Sequence, residues 1–143
     1  MKHILPVRIY YEDTDAGGVV YHANFLKFAE RGRTEFLRTV GYQNRALEKS
    51  KGLIFVVRRI TVDYLKPAFL DDALIMQSSI EEMKNSSFTM RQTVYKPYMD
   101  SNDEEEMELI CEMHVVLVCV NADTIQPLRI PEDIKQAFLN YRE

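Results

Sequence analysis

VRIYYEDTDAGGVVYHANFLKFAERGRTEFLRTV, residues 7–40, divides into a short strand, an acidic turn carrying two glycines, and one long amphipathic helix. Leu5, Val7, Ile9 and Tyr11 alternate with Pro6, Arg8 and Tyr10, the period of a strand with one buried face. The strand is predicted to end at Glu12-Asp13-Thr14-Asp15. Gly17-Gly18 then supplies the backbone freedom for a sharp reversal or a close approach to a ligand. A helix is expected from near His22 or Ala23. Phe25, Phe28, Ala29, Phe36, Leu37 and Val40 form its apolar stripe at three- and four-residue spacing. Gly32 interrupts that stripe at a cost of about 1 kcal/mol against alanine, which a helix lying tight on a sheet would explain. Gly41 fits a left-handed terminator.

Outward from that stretch the chain turns β. Gln43 to Gly52 reads as a polar connection. Leu53–Val57 is a continuous apolar run that Ile60, Val62 and Tyr64 extend by alternation. Strands are predicted over Ala73–Met83, Phe88 to about Tyr98, and Met107–Val120, with the doubly apolar Val115–Val120 placed centrally in the sheet. MDSNDEEE, residues 99–106, is a solvated acidic loop, and Pro131 opens a short last helix with Ile134, Ala137 and Phe138. One helix cannot cover both faces of so large a sheet. The expected class is α+β, a curved antiparallel sheet wrapped around one long central helix, as a single domain over residues 1–143. The open face and a long edge strand favour pairing with a second copy.

Bulk properties narrow the function. Apolar residues are 46% and charged residues 28%, the balance of a folded chain, and a net charge of −4 argues against nucleic acid or a membrane surface. Cys111 and Cys119 are too few for a disulfide framework and lack metal-site spacing, so they read as buried small hydrophobes in a reducing compartment. No run is long enough to span a membrane, no secretory segment opens the chain, and a cytoplasmic location is expected. Chemistry concentrates instead where strand meets helix: Tyr11, Glu12, Asp13, Thr14, Asp15, His22 and Asn24. A carboxylate beside the positive end of a helix stays ionised, and the unpaired N–H groups there can hold a polarised carbonyl oxygen. Together these suffice for attack on an acyl group.

The pattern D-x-D-x-x-G-x-V-Y-H at Asp13–His22, with FVVRRITVDYLKPAFLDD at 55–72 and VVLVCVNADTIQPLRIPEDI at 115–134, resembles the hotdog-fold acyl-CoA thioesterases related to 4-hydroxybenzoyl-CoA thioesterase. Within that family it looks like the bacterial branch associated with the Tol–Pal envelope system, and the likeness covers nearly the whole chain. The resemblance implies that Asp15 is the catalytic carboxylate, that the N–H at His22 holds the thioester oxygen, and that Tyr11 and the His22 side chain take part. Gly17, Gly18, Val19, Tyr21 and Asn24 are then candidates to line the substrate site, with Tyr21 and Asn24 alternatively capping the helix. It also implies a homodimer or homotetramer with sites where subunits meet, and a link to cell-envelope or phospholipid-synthesis proteins. Coenzyme A would enter as part of the substrate, so neither cofactor nor metal is expected. Some relatives carry a basic cluster before the fourth strand. Here the turn is Lys84-Asn85-Ser86-Ser87, leaving Lys84 and Arg58, with Arg59, Lys66 and Arg91, as candidates for the nucleotide phosphates. Acyl groups on a carrier protein are an alternative substrate form.

Each residue also has a plainer reading. Asp15 alone would suit a turn, Asp13 is read as turn stabilisation or support for Asp15, and Tyr11 as either a plain core tyrosine or one whose hydroxyl reaches the site. His22 could orient Asp15, position water or protonate the leaving thiolate. His3 and His114 are given no role. Asp15 as nucleophile and Asp15 as base on water both fit. An ordinary aspartate, with a pKa of about 3.9, is a weak base at neutral pH, which favours either direct attack or a desolvated carboxylate of raised pKa. The competing functions are a hydratase or dehydratase acting on acyl thioesters, and a non-catalytic acyl-CoA or acyl-carrier-protein binding adaptor.

Overall fold

The computed structural model describes all of residues 1–143. Its elements, in order, are β1 (His3–Arg8), α1 (Asn24–Thr39), α2 (Asn44–Lys51), β2 (Leu53–Tyr64), β3 (Ala73–Met83), β4 (Ser87–Met99), β5 (Glu105–Asn121) and α3 (Glu132–Leu139). The strands form one antiparallel sheet in the order β1-β3-β4-β5-β2. β3, β4 and β5 follow one another as hairpins, while the first two strands flank them on opposite edges because α1 and α2 intervene. No helix is long and apolar enough to cross a membrane.

Alternation along the strands builds the concave face. Met76 on β3, Met90 and Val94 on β4, and Met113 and Val115 on β5 are buried there, as are Phe25, Phe28, Ala29 and Phe36 of α1. Each strand pair beyond β1 carries one irregularity of register: at Arg58 in β2, at Glu81 in β3 and at Ile110 in β5. An extra residue on one strand bends it and deepens the twist, which curves the sheet around the helix. α3 closes one end, its Phe138 ring lying 5.3 Å from Phe36 and 5.1 Å from Phe88.

Gly32 lies where the helix is pressed hardest onto the sheet. A Cβ there would stand 3.0 Å from both Gln92 Nε2 and Met76 Cγ. Gln92 is a buried amide in the middle of β4, and its partners account for it. Nε2 donates to the Ala29 carbonyl (2.9 Å) and Ser78 Oγ (3.0 Å), and Oε1 accepts from Arg33 (2.9 Å).

Three expectations are corrected. Gln43–Gly52 is a helix rather than a polar connection: Leu47 is its buried anchor, and Gly52 ends it at φ 64°. Its eight residues with a single buried apolar anchor leave almost no periodic signal. Regular β1 ends at Arg8 and the alternation stops at buried Ile9, because Tyr11–Asp13 forms a 3-10 turn that carries the Tyr11 side chain into solvent. The core role considered for Tyr11 is therefore not the one it has. Val115–Val120 lies on β5, second from an edge, and the central strand is β4. His3, which has no part in the site, is buried with its ring 6.0 Å from Phe36.

Candidate active site

The loop from Thr14 to Val20 is tied into a closed turn. Thr14 and Val20 form a β-bridge, Asp15 N–H donates to the Val19 carbonyl (2.9 Å), and Gly18 N–H returns to the Asp15 carbonyl (3.0 Å). Gly18 adopts φ 81°, a left-handed conformation that a side chain would strain. Gly17 serves differently: its N–H donates to Asp15 Oδ1 at 2.8 Å, fixing the carboxylate, and a Cβ on Gly17 would sit 3.1 Å from that oxygen. The turn rests on a second loop through the Val19–Phe69 bridge and the bond from Val20 N–H to the Ala68 carbonyl (2.8 Å).

Asp13 is the buried brace beneath it. Its Oδ2 accepts from Tyr10 N–H (2.9 Å), its Oδ1 from Asn24 Nδ2 (3.3 Å), and its carbonyl from Tyr21 N–H (2.8 Å). These bonds fasten the turn to the first residue of α1. Asn24 therefore braces rather than caps, and α1 begins with no side-chain cap at all. Asn24 N–H donates to the Tyr21 carbonyl, Phe25 N–H to His22 and Leu26 N–H to Ala23. The N–H groups of His22 and Ala23 donate to no protein atom. Two bare donors thus stand at the positive end of a 16-residue helix, directly after the turn that presents Asp15.

The His22 ring is exposed and lies among aromatics, 4.6 Å from Tyr21 and 5.9 Å edge-on from Tyr64 at the end of β2. It makes no hydrogen bond to Asp15. Tyr64 was not singled out from the sequence, where it looked like the last member of an alternating strand. Desolvation of its ring, and then the nearby Cys111, raise its phenol above the usual value, so it stays protonated. Tyr11 is 81% exposed and contributes its carbonyl, which accepts from Thr14 N–H (3.1 Å) and Oγ1 (2.8 Å). The chain thus brings Asp15, Gly17, Gly18, Val19, Tyr21, His22 and Asn24 into one neighbourhood. Arg58 and Lys84 lie elsewhere in their own chain, Arg58 at the β2 bulge and Lys84 at the far end of β3, paired at 3.9 Å with Glu82. The three carboxylates that could converge on a metal ion, Asp100, Glu104 and Glu106, are at the tip of the β4–β5 hairpin. There Asp100 Oδ1 already accepts from the N–H groups of Asn102 and Glu104.

Residues 10–138 match the profile of a protein family described as the thioesterase-like superfamily. The chain is 42% identical over 133 residues to the acyl-CoA thioester hydrolase YbgC of Escherichia coli O6:H1, an alignment covering 93% of this chain and 92% of that one. It is 38% identical over 133 residues to the acyl-CoA thioesterase YbgC of Haemophilus influenzae, covering 93% and 91%. The chain belongs to the thioesterase-like superfamily. Among solved structures, a probable thioesterase from Bartonella henselae superposes with a TM-score of 0.79 at 33% identity, over 92% of this chain and all of that one. A 4-hydroxybenzoyl-CoA thioesterase superposes at 0.86 over 96% and 98% of the two chains; at 17% identity that likeness establishes the shared hotdog fold. The family's fold and the topology found here agree: a curved antiparallel sheet around a central helix.

Proposed function

We propose that this protein hydrolyses acyl-CoA thioesters to a free acid and a thiol at the turn between β1 and α1. The observation that carries the reading is the union of a fixed carboxylate, Asp15 held by Gly17 N–H, with two unpaired helix-start N–H groups at His22 and Ala23. The thioester oxygen lies on the His22 N–H. As the carbon becomes tetrahedral its charge grows, and a donor already aimed there stabilises it without reorganisation. Asp15 attacks that carbon as nucleophile, or takes the proton from an attacking water. His22, exposed beside Tyr21 and Tyr64, is within the same neighbourhood to protonate the leaving thiolate. The names of the YbgC relatives support the substrate class.

Neither of the two main grooves of the chain has Asp15 or His22 in its lining. A second copy is the natural wall. β2 offers twelve residues of open sheet edge, with Val57, Tyr64 and Leu65 exposed along and just beyond it. Arg58 is exposed at the bulge on that same edge.

The test is thiol release from short, long and aromatic acyl-CoA esters by wild type and Asp15→Asn. Asparagine keeps the oxygen that Gly17 binds, so the variant should fold normally and lose about 10²–10⁴-fold in turnover. Substantial thiol release by that variant would remove Asp15 from the mechanism. Water addition to an enoyl thioester without thiol release would mark a hydratase instead.

A further inference from the structure

Among the groups assigned to the chemistry, the His22 imidazole is the one that no side-chain hydrogen bond holds. Of the three histidines in the chain, only His114 has its ring bonded to another side chain. The Asp15 carboxylate is fixed by Gly17 N–H, whereas the exposed His22 ring meets two aromatic rings instead. Tyr21, at 4.6 Å, is its neighbour in sequence, so that contact ties His22 only to its own turn.

Tyr64 ties it to the sheet. Its ring stands nearly perpendicular to the imidazole, at 83° and 5.9 Å, and lies 6.0 Å from Phe25. Phe25 is buried on α1 and meets Phe28 edge-on at 5.9 Å, so a file of rings runs from the turn into the core. The backbone secures Tyr64 as well. It follows Ile60 and Val62, which pack on the core, and pairs with buried Cys111. Directly after it, Leu65 N–H and Lys66 N–H both donate to the Ile110 carbonyl (2.9 and 3.1 Å) at the β5 bulge. What Tyr64 presents to His22 is therefore a ring in a fixed place.

We propose that Tyr64 is a positioning residue whose ring holds the His22 imidazole where it protonates the leaving thiolate. The proposal rests on the role given to His22 above. As the C–S bond breaks, its electron pair goes to sulfur, which takes a proton from the imidazolium and leaves neutral imidazole. That transfer needs the donor within hydrogen-bond reach, so the rate follows the fraction of time the ring spends there. A perpendicular aromatic pair shifts such a population about 3- to 10-fold. The thioester oxygen, held by a backbone N–H, is untouched by the contact. Tyr64 therefore acts on kcat and leaves KM alone.

Thiol-release kinetics with the acyl-CoA ester turned over best, together with proton NMR of the full chain, test this. Tyr64→Leu should lower kcat about 3- to 10-fold at unchanged KM, and Tyr64→Phe, which keeps the ring, should restore it. In a His22→Gln background Tyr64→Leu should cost nothing further, because the residue it acts through is gone. In the wild type the His22 ring protons should show a nuclear Overhauser contact with the Tyr64 ring. Their resonances should hold in Tyr64→Phe and move in Tyr64→Leu, while those of His3 and His114 stay fixed. Equal losses from Tyr64→Leu with and without His22, or from the leucine and phenylalanine variants, would overturn the proposal. A missing Overhauser contact in an active wild type would overturn it alone, even if Tyr64→Leu failed to fold. Absence of thiol release from every acyl-CoA ester would instead overturn the thioesterase reading, and the proposal with it, whatever the spectra show.

Discussion

Asp15 and Asp13, two residues apart, are given opposite tasks by their surroundings. Asp13 is buried, with both carboxylate oxygens accepting hydrogen bonds from Tyr10 and Asn24, while Asp15 is exposed and holds one N–H, that of Gly17. The free lone pairs of Asp15 leave it available for chemistry; those of Asp13 are engaged in fastening the turn. Gly17 sets the position of the reactive carboxylate. In Gly17→Ala the new Cβ would come within 3.1 Å of Asp15 Oδ1 and push it aside by a few tenths of an ångström. Turnover should fall about 10- to 100-fold with little change in melting temperature, because misplacement of a reacting group costs rate far more than stability. Steady-state kinetics alongside a thermal melt checks this, and an unchanged kcat would show that the carboxylate is not held by this contact. At this scale the D-x-D and glycine spacing was legible in the sequence. The brackets of His22 were not: Tyr64 reaches it from 42 positions along the chain, and only the fold brings the two rings together.

Among the elements, α1 meets the sheet at a glycine for a reason the sequence only suggested. Alanine at position 32 would gain about 1 kcal/mol of helix propensity. Its Cβ, however, would press at 3.0 Å on Met76 and on Gln92, whose amide is committed to two acceptors. Overpacking of that kind costs about 1–3 kcal/mol, so against that gain Gly32→Ala should destabilise by roughly 0–2 kcal/mol in urea unfolding. A more stable variant would mean that the helix can lift without penalty. The strands β3, β4 and β5 were legible to within two residues because each buries one face and alternates accordingly. α2 was missed for the converse reason: one buried leucine gives no period to read.

Across the whole molecule, two histidines with no part in the site couple stability to pH with opposite signs. On the outer face of the sheet, His114 of β5 contacts Glu81 of β3 (2.8 Å) and Glu112 of its own strand (3.3 Å), beside the Arg91–Glu112 pair. The Glu81 hydrogen bond, and then the charges of Glu81 and Glu112, raise its pKa, against burial and Arg91. The folded state therefore binds the proton more tightly. This stabilisation is complete below the unfolded value of about 6.5 and disappears as pH rises through the raised folded value. His3 is the reverse: burial lowers its pKa despite Glu35, and its Nδ1 has no partner. Its unfavourable effect appears as pH falls below about 6.5, where the unfolded chain takes up a proton that the folded chain refuses. Melting curves at pH 5.5 and 8.5 should show His114→Gln losing more stability at the acidic pH. His3→Leu should gain relative to wild type there. Because His114 is a third exposed, 0.5 M salt should shrink the first effect. An acid-side gap that is absent or reversed for His114→Gln would mean that the Glu81 contact does not persist in solution.

Periodicity, turn chemistry and one dense motif determined the class of fold, the long helix and the segment that carries the candidate chemistry, because those signals are local and repeat along the chain. Tertiary structure alone decided the strand order, the exposure of Tyr11, the burial of His3 and the bond from Arg33 to Gln92 beneath the central helix. Those depend on which distant residues meet, and a backbone that bends by one residue at Ile9 or bulges at Arg58 reverses a side chain's direction without altering the composition of the sequence around it.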